Sequence, residues 1–195
     1  PIAWLEDARW QVRSGKAYFQ ALFGKAPLGM WPPEGAVSQK AAELYAEEGI
    51  GFLVTDEAIL GRSGFPVNPL TLTRPYRVEK DGRRVVLFFR HRDLSDRIGF
   101  SYSQMPAERA VEDLIAALLE IRRQVIGQNR EAVLTLALDG ENAWESYPEN
   151  GNAFRRLLYR RLSEEQRKGT LKTVRFSEVL GLPSVPIPRL ATGGW

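Results

Sequence analysis

Three stretches of the 195-residue chain put acids, aromatic rings and glycines directly after apolar runs, which is where alternating α/β folds place their chemistry. The first, Gly29-Met30-Trp31-Pro32-Pro33-Glu34-Gly35, carries one carboxylate behind two prolines and near a tryptophan. Proline fixes φ, so Glu34 has a rigid mount, and Trp31 offers a flat apolar face of the kind that suits a sugar ring. The same spacing fits a plainer role for Glu34, an acid in the first turn of a following helix, stabilised by the helix dipole. The second stretch, Leu87 to Phe100, sets Asp93 and Asp96 among Arg90, Arg92 and Arg97. Asp93 there suits a helix cap with the arginines as ion-pair partners, and a lone His91 near a strand end is more often a hydrogen-bonded structural residue than a catalyst. The third, Leu136 to Glu145, gathers Asp139, Glu141, Asn142, Trp144 and Glu145. Acids and amides pair with hydroxyl groups while an indole covers a ring face, which is the chemistry of a saccharide site.

Two carboxylates suffice to cleave a glycosidic bond, one as nucleophile or base and one as the acid that protonates the leaving oxygen. An aspartic acid that donates a proton near neutral pH must be enclosed, because burial disfavours its charged form. The arginines around Asp96 would oppose that, so they are expected to turn away or to pair with other acids. The chain has no cysteine and a single histidine, which excludes disulfides, thiolate metal sites, a cysteine nucleophile and any multi-histidine metal site within these residues.

The elements that must position these groups follow from periodicity and breakers. Trp4 to Phe23 reads as a helix stopped at Gly24. Leu28 to Trp31 reads as a strand closed by Pro32-Pro33. Ser38 caps a helix that runs to Glu48, and Ile50 to Thr55 is a buried-type strand. Gly61 to Leu70 reads as loop. Arg74 to Val78 and Arg84 to Phe89 flank Asp81-Gly82 as a β-hairpin. Apolar residues from Val111 to Val125 recur at helical steps, giving a helix over Ala107 to Ile126. Val133 to Leu138 is expected as a strand, Ala153 to Leu162 as a helix, and Thr173 to Phe176 as a short strand before a proline-rich tail. This alternation predicts an α/β architecture with mostly parallel strands. A complete barrel of the common kind takes about 250 residues, so either the sheet is open or part of a barrel is missing.

Hydrophobic residues make up 44% and charged residues 26% of the sequence, the balance of a folded globular chain. The formal charge is +3, but 27 basic residues are interspersed with 24 acidic ones, so no basic stripe marks a nucleic-acid binder. Apolar runs such as Val85 to Phe89 are far too short to span a bilayer, and Pro1 is not followed by a secretion signal. No membrane partner is therefore expected, and the expected compartment is the cytoplasm. Composition leaves the oligomeric state open.

At its three chemistry-bearing stretches the sequence resembles glycoside hydrolase family 57, which groups α-amylases, amylopullulanases, 4-α-glucanotransferases and related α-glucan enzymes. The likeness covers most of the chain. Gly29 to Ser38 resembles the family segment bearing the catalytic nucleophile, which implies that role for Glu34. Leu94 to Phe100 resembles the segment bearing the acid/base, which implies Asp96, with Asp93 as the nearby alternative. Leu138 to Glu145 resembles a substrate-contacting segment and carries Asp139, Glu141 and Trp144, while Thr55-Asp56-Glu57 also fits the family pattern. Trp31, Asp56, Glu57, His91 and Asp93 complete the candidate substrate contacts. The resemblance implies a retaining mechanism through a covalent glycosyl-enzyme, an α-glucan oligosaccharide or polysaccharide as partner, and no metal or organic cofactor. It also implies a partial (β/α) barrel, of the incomplete seven-stranded type with additional helices, and residues 1–195 as a single, partial catalytic domain. The family's early histidine-bearing segments have no counterpart here, so the chain is expected to be truncated before Pro1, and at Trp195 as well. The contrary reading is a catalytically inactive glucan-binding or interaction domain built on the same fold.

Overall fold

The computed structural model describes residues 4–128, 131–140 and 144–195. In chain order the elements are α1 (Leu5–Phe23), β1 (Gly29–Met30), α2 (Gln39–Glu47), β2 (Phe52–Asp56), α3 (Glu57–Arg62), α4 (Pro69–Leu72), β3 (Tyr76–Lys80), β4 (Arg83–Arg90), α5 (Arg92–Asp96), α6 (Ala107–Val125), α7 (Asn152–Arg167), α8 (Phe176–Val179) and β5 (Val185–Pro186). They divide between two units, one made of residues 1–90 and 176–195 and the other of residues 91–175.

In the first unit a five-stranded sheet has the order β1-β2-β4-β3-β5. β1, β2 and β4 are mutually parallel, β3 pairs antiparallel with β4, and β5 joins β3 in parallel. The sheet is therefore open and mixed. Every residue of β4 from Val85 to Arg90 is buried, as expected of a central strand covered on both faces. One face carries Leu53, Tyr76, Val78, Val85, Leu87 and Phe89 into the main core, together with Ala42 and Leu44 of α2. Phe52 and Phe88 meet Phe176 at centroid distances of 4.7 and 4.8 Å. The Phe52 ring lies so close to β1 that a Cβ on Gly29 would come within 2.3 Å of it, so a larger residue there would have to displace the ring. The β3–β4 hairpin turns on Asp81 and Gly82, both at positive φ, the conformation that matches strand twist in a two-residue loop.

The parallel register sets Asp56 opposite Arg90 at the carboxyl ends of β2 and β4. Asp56 is 0% exposed and Arg90 only 7%, and the Arg90 Nε donates to Asp56 Oδ2 at 2.7 Å. The other carboxylate oxygen accepts the Ala58 N–H at 2.9 Å and so caps α3. α1 buries little of itself. It is tied to the end of α2 by Arg9 with Glu47 and Glu48 and by Arg13 with Glu48.

The second unit is helical. α6 and α7 enclose Leu114, Ile115 and Phe154, against which Leu94, Ile98, Tyr102 and Tyr147 are buried. Arg161 of α7 bridges to Glu112 of α6 at 2.6 Å and also meets Glu164 and Glu165 of its own helix. Glu165 in turn accepts from Lys168 Nζ at 2.7 Å and from the Thr170 hydroxyl at 2.6 Å.

Several expectations need correction. Gly61 to Leu70 is not all loop. Asp56 and Asn68 supply caps that start α3 and α4, the latter with a reciprocal Asn68–Thr71 capping box. Val133 to Leu138 forms no ladder strand among the described residues. It has one bridge residue, Thr135, whose carbonyl accepts the His91 N–H, and its Ala137 N–H is taken by the Ser95 hydroxyl. Thr173 to Phe176 is not a strand either, because Phe176 opens α8. The proline-rich tail instead supplies β5 at a sheet edge, where a missing N–H is tolerated.

Two outcomes follow. Asp56→Ala takes from buried Arg90 its carboxylate partner and from α3 its cap, so a loss of about 3–5 kcal/mol in denaturant unfolding is expected; a loss below about 1 kcal/mol would contradict the assigned pair. In the second unit, Lys168 first and the Thr170 hydroxyl next, with Arg161 adding to them, hold the Glu165 carboxyl down at about 2 against the opposing effect of burial. A depressed folded-state value stabilises the fold above the unfolded value of about 4.3. That contribution is lost as pH falls toward the folded value. Unfolding midpoints measured from pH 5 to pH 2 should thus fall less steeply in Glu165→Gln than in the parent.

Candidate functional site

Glu34 sits just past the carboxyl end of β1, on the edge where β2 ends in Asp56 and β4 in Arg90. It lies in a single tight turn, Pro33–Gly35, and not in the first turn of α2, which starts at Gln39 with Ser38 as its cap. The helix-dipole role is therefore not the one its position supports. Its backbone is at φ 56°, ψ 24°, a left-handed conformation that costs a residue with a Cβ roughly 1 kcal/mol or more and persists only where neighbours enforce it. The neighbours are plain. Pro32 and Pro33 fix the approach, the Gly35 carbonyl accepts the buried Thr55 hydroxyl at 2.6 Å, and the Glu34 carbonyl accepts the Trp195 N–H at 3.1 Å.

The side chain of Glu34 is exposed, and its Oε2 accepts the Trp195 indole N–H at 2.7 Å. Trp195 lies 4.8 Å from Trp31, centroid to centroid, with the rings inclined at 55°. The guanidinium carbon of Arg90 stands 4.5 Å from the centre of the Trp195 ring, within cation–π range. Carboxylate, two indoles and a guanidinium thus share one edge of the sheet. Asp56, expected as a substrate contact, is fully buried and serves Arg90 and α3 instead of an open subsite. Glu57 is half-buried at the start of α3.

In the second unit His91 is the N-cap of α5, its Nδ1 accepting the Leu94 N–H over a long 3.4 Å. Asp93 is exposed and its carboxylate pairs with Arg97 at 2.8 Å. Arg97 also reaches Asp113 at 3.1 Å, and the Tyr102 hydroxyl donates to the same carboxylate at 2.6 Å. These bonds, Tyr102 first and then Arg97, lower the Asp113 carboxyl. Asp96 is half-buried at the end of α5, where the chain passes into one wider, π-type turn, Arg97–Ser101. Such turns redirect side chains and recur at functional sites. Arg97, the neighbour of Asp96 in sequence, is thus committed to Asp93 and Asp113.

The segment carrying Asp139 is anchored to α5 through the Ala137–Ser95 and His91–Thr135 bonds, and Asp139 itself is half-buried. Glu141 lies outside the described residues. Trp144 packs on Tyr147 at 5.5 Å and Phe154 at 6.1 Å, with the Arg155 guanidinium 5.5 Å from its ring centre. The Tyr147 hydroxyl donates to the Ile98 carbonyl, and burial pushes that phenol up to about 12. Among the described residues no group of three or more metal-ligating side chains occurs, and no helix is long and apolar enough to cross a membrane.

Sequence reasoning passed over Arg90 and Trp195 as site residues. In sequence Arg90 is one of several arginines, yet its place opposite Asp56 follows once the strands are registered in parallel. Trp195 carries no local signal, because its partner is 161 residues away.

The comparisons with known proteins agree on the fold. The chain resembles the crystal structure of 4-α-glucanotransferase from Thermococcus litoralis, with a TM-score of 0.71 and 20% identity, over 96% of this chain and 28% of that one. It resembles the structure of the α-amylase AmyC from Thermotoga maritima, with a TM-score of 0.82 and 16% identity, over 97% of this chain and 48% of that one. The chain thus spans less than half the length of either structure. No curated protein matches it in sequence. The model of glycosyl hydrolase family 57 matches residues 1–187, and the chain belongs to that family.

Proposed function

We propose that these residues form part of the catalytic domain of a retaining glycoside hydrolase or transglycosidase that acts on the α-glucosidic bonds of starch- or glycogen-like α-glucans. The observation that carries this reading is Glu34, an acid held in a left-handed turn behind two prolines, at the carboxyl edge of parallel strands and beside Trp31. Family membership and the α-glucan enzymes named above supply the substrate class.

In the proposed reaction a Glu34 oxygen attacks the anomeric carbon as the glycosidic C1–O bond breaks, and Asp96 gives its proton to the departing oxygen. Asp96, now a carboxylate, then takes a proton from the acceptor, whose oxygen attacks C1 and releases Glu34. Water as acceptor makes a hydrolase and a glucan hydroxyl makes a transferase. Trp31 provides a face for a sugar ring, and Asp139, with Glu141 and Trp144 as further candidates, pairs with hydroxyl groups. Asp96 is favoured over Asp93 as acid/base because Asp96 is half-buried at the end of α5, whereas Asp93 is exposed.

Replacing the nucleophile should cost on the order of 10³-fold or more in turnover. Glu34→Gln in the intact protein is therefore expected to lose nearly all activity on maltooligosaccharides, and unchanged turnover would remove the assignment. Asp96→Asn should lose about 10²–10⁴-fold, whereas Asp93→Asn should stay within a few-fold of the parent. The reverse order would exchange the two aspartates. Amylose bound by the parent protein with no product released would instead favour the non-catalytic reading.

A further inference from the structure

The inference concerns Trp195 and rests on the reading of Glu34 as nucleophile. Two separate bonds tie Trp195 to this one residue, its backbone N–H to the Glu34 carbonyl at 3.1 Å and its indole N–H to Glu34 Oε2 at 2.7 Å. The segment leading to it is built for that approach. Gly193 and Val37 exchange both backbone hydrogen bonds, at 2.8 and 3.0 Å, which lays the tail antiparallel along the residues that follow Glu34. A Cβ on Gly194 would come within 2.6 Å of the Glu34 carbonyl oxygen, so only glycine lets the two backbones run this close.

The indole is itself held in place. Arg90, fixed by its buried bond to Asp56, lies over the Trp195 ring, and Trp31 packs beside it. An indole N–H is a donor only. It therefore meets the carboxylate as a charge-assisted bond and ties down one of two otherwise equivalent oxygens. A nucleophilic carboxylate needs one oxygen free and aimed, and a misplacement of about 1 Å costs on the order of 10²-fold in rate.

We propose that Trp195 is the positioning residue of the nucleophile: its indole N–H holds Glu34 Oε2 so that Oε1 is the oxygen presented to the anomeric carbon. Asp56 and Arg90 act behind it, setting the plane of the indole. The bond that forms is Oε1–C1, the bond that breaks is C1 to the glycosidic oxygen, and the proton on that oxygen comes from the acid, as above. Trp195 exchanges no proton and forms no covalent bond.

The test uses Trp195→Phe, which keeps an aromatic ring beside Trp31 and under Arg90 but removes the donor. In the intact protein, the rate at which a fluorinated α-glucosyl donor traps the glycosyl-enzyme should fall by about 10²-fold, while KM for maltooligosaccharides changes less than about threefold. A merely structural tryptophan would move both together or neither. Independently of activity, the indole N–H resonance that vanishes from the proton–nitrogen NMR spectrum of Trp195→Phe should lie at low field in the parent and move upfield in Glu34→Ala. An indole resonance indifferent to Glu34→Ala would overturn the inference, as would equal trapping rates in the parent and Trp195→Phe. If the parent is not trapped at all, the nucleophile reading fails and takes the inference with it; trapping of the parent with no effect of Trp195→Phe defeats the inference alone.

Discussion

The buried ion pair between Asp56 and Arg90 exists because parallel pairing of β2 with β4 puts the two residues opposite each other at the strand ends. Withdrawing two charges from water costs several kcal/mol per ion, so such a pair persists only with good geometry and with its remaining hydrogen-bonding capacity used. Both conditions hold for Asp56, whose second oxygen caps α3. Arginine is also the residue that can do both things asked of position 90. Its planar guanidinium donates through Nε in its own plane and still presents a flat cationic face to the Trp195 ring. A lysine would offer a point charge and no plane. The order of dependence runs from strand register to ion pair, from ion pair to indole, and from indole to the Glu34 carboxylate.

The mount of Glu34 shows how much of a site can be read from residue types and where such reading stops. Pro32-Pro33 before an acid signal a rigid mount, and the chain holds Glu34 in one tight turn, Pro33–Gly35. The left-handed backbone of Glu34 was not legible, because it is imposed by partners remote in sequence, the Thr55 hydroxyl on Gly35 and the Trp195 N–H on Glu34 itself. Long periodic elements were legible for the opposite reason. The apolar steps of α6 and the alternation around Asp81-Gly82 are local patterns, and they appear as a 19-residue helix and a hairpin. Val133 to Leu138 misled because an apolar run is compatible with a strand but does not set how far the pairing extends. Here the segment has a single bridge residue, Thr135, whose carbonyl accepts the His91 N–H, while the Ser95 hydroxyl takes the Ala137 N–H.

In the second unit Arg97 pairs with both Asp93 and Asp113, and Tyr102 adds its hydroxyl to the same cluster. The π-type turn after Asp96 then changes the phase of the chain, so residues on either side of it do not share a face as they would along a regular helix. The rings of Trp144, Tyr147 and Phe154 pack on one another. The sequence context of Trp144 suggests a saccharide site, and the structure shows it packed on Tyr147 and Phe154.

The central claim is that the carboxylate of Glu34 becomes covalently bonded to the sugar. The most direct measurement is to trap the intermediate in the intact protein with a fluorinated α-glucosyl donor, digest it, and sequence the modified peptide by mass spectrometry. The account places the added glucosyl mass on Glu34, within the stretch from Gly29 to Ser38. A label on Asp96, on Glu57 or on any other carboxylate would contradict it.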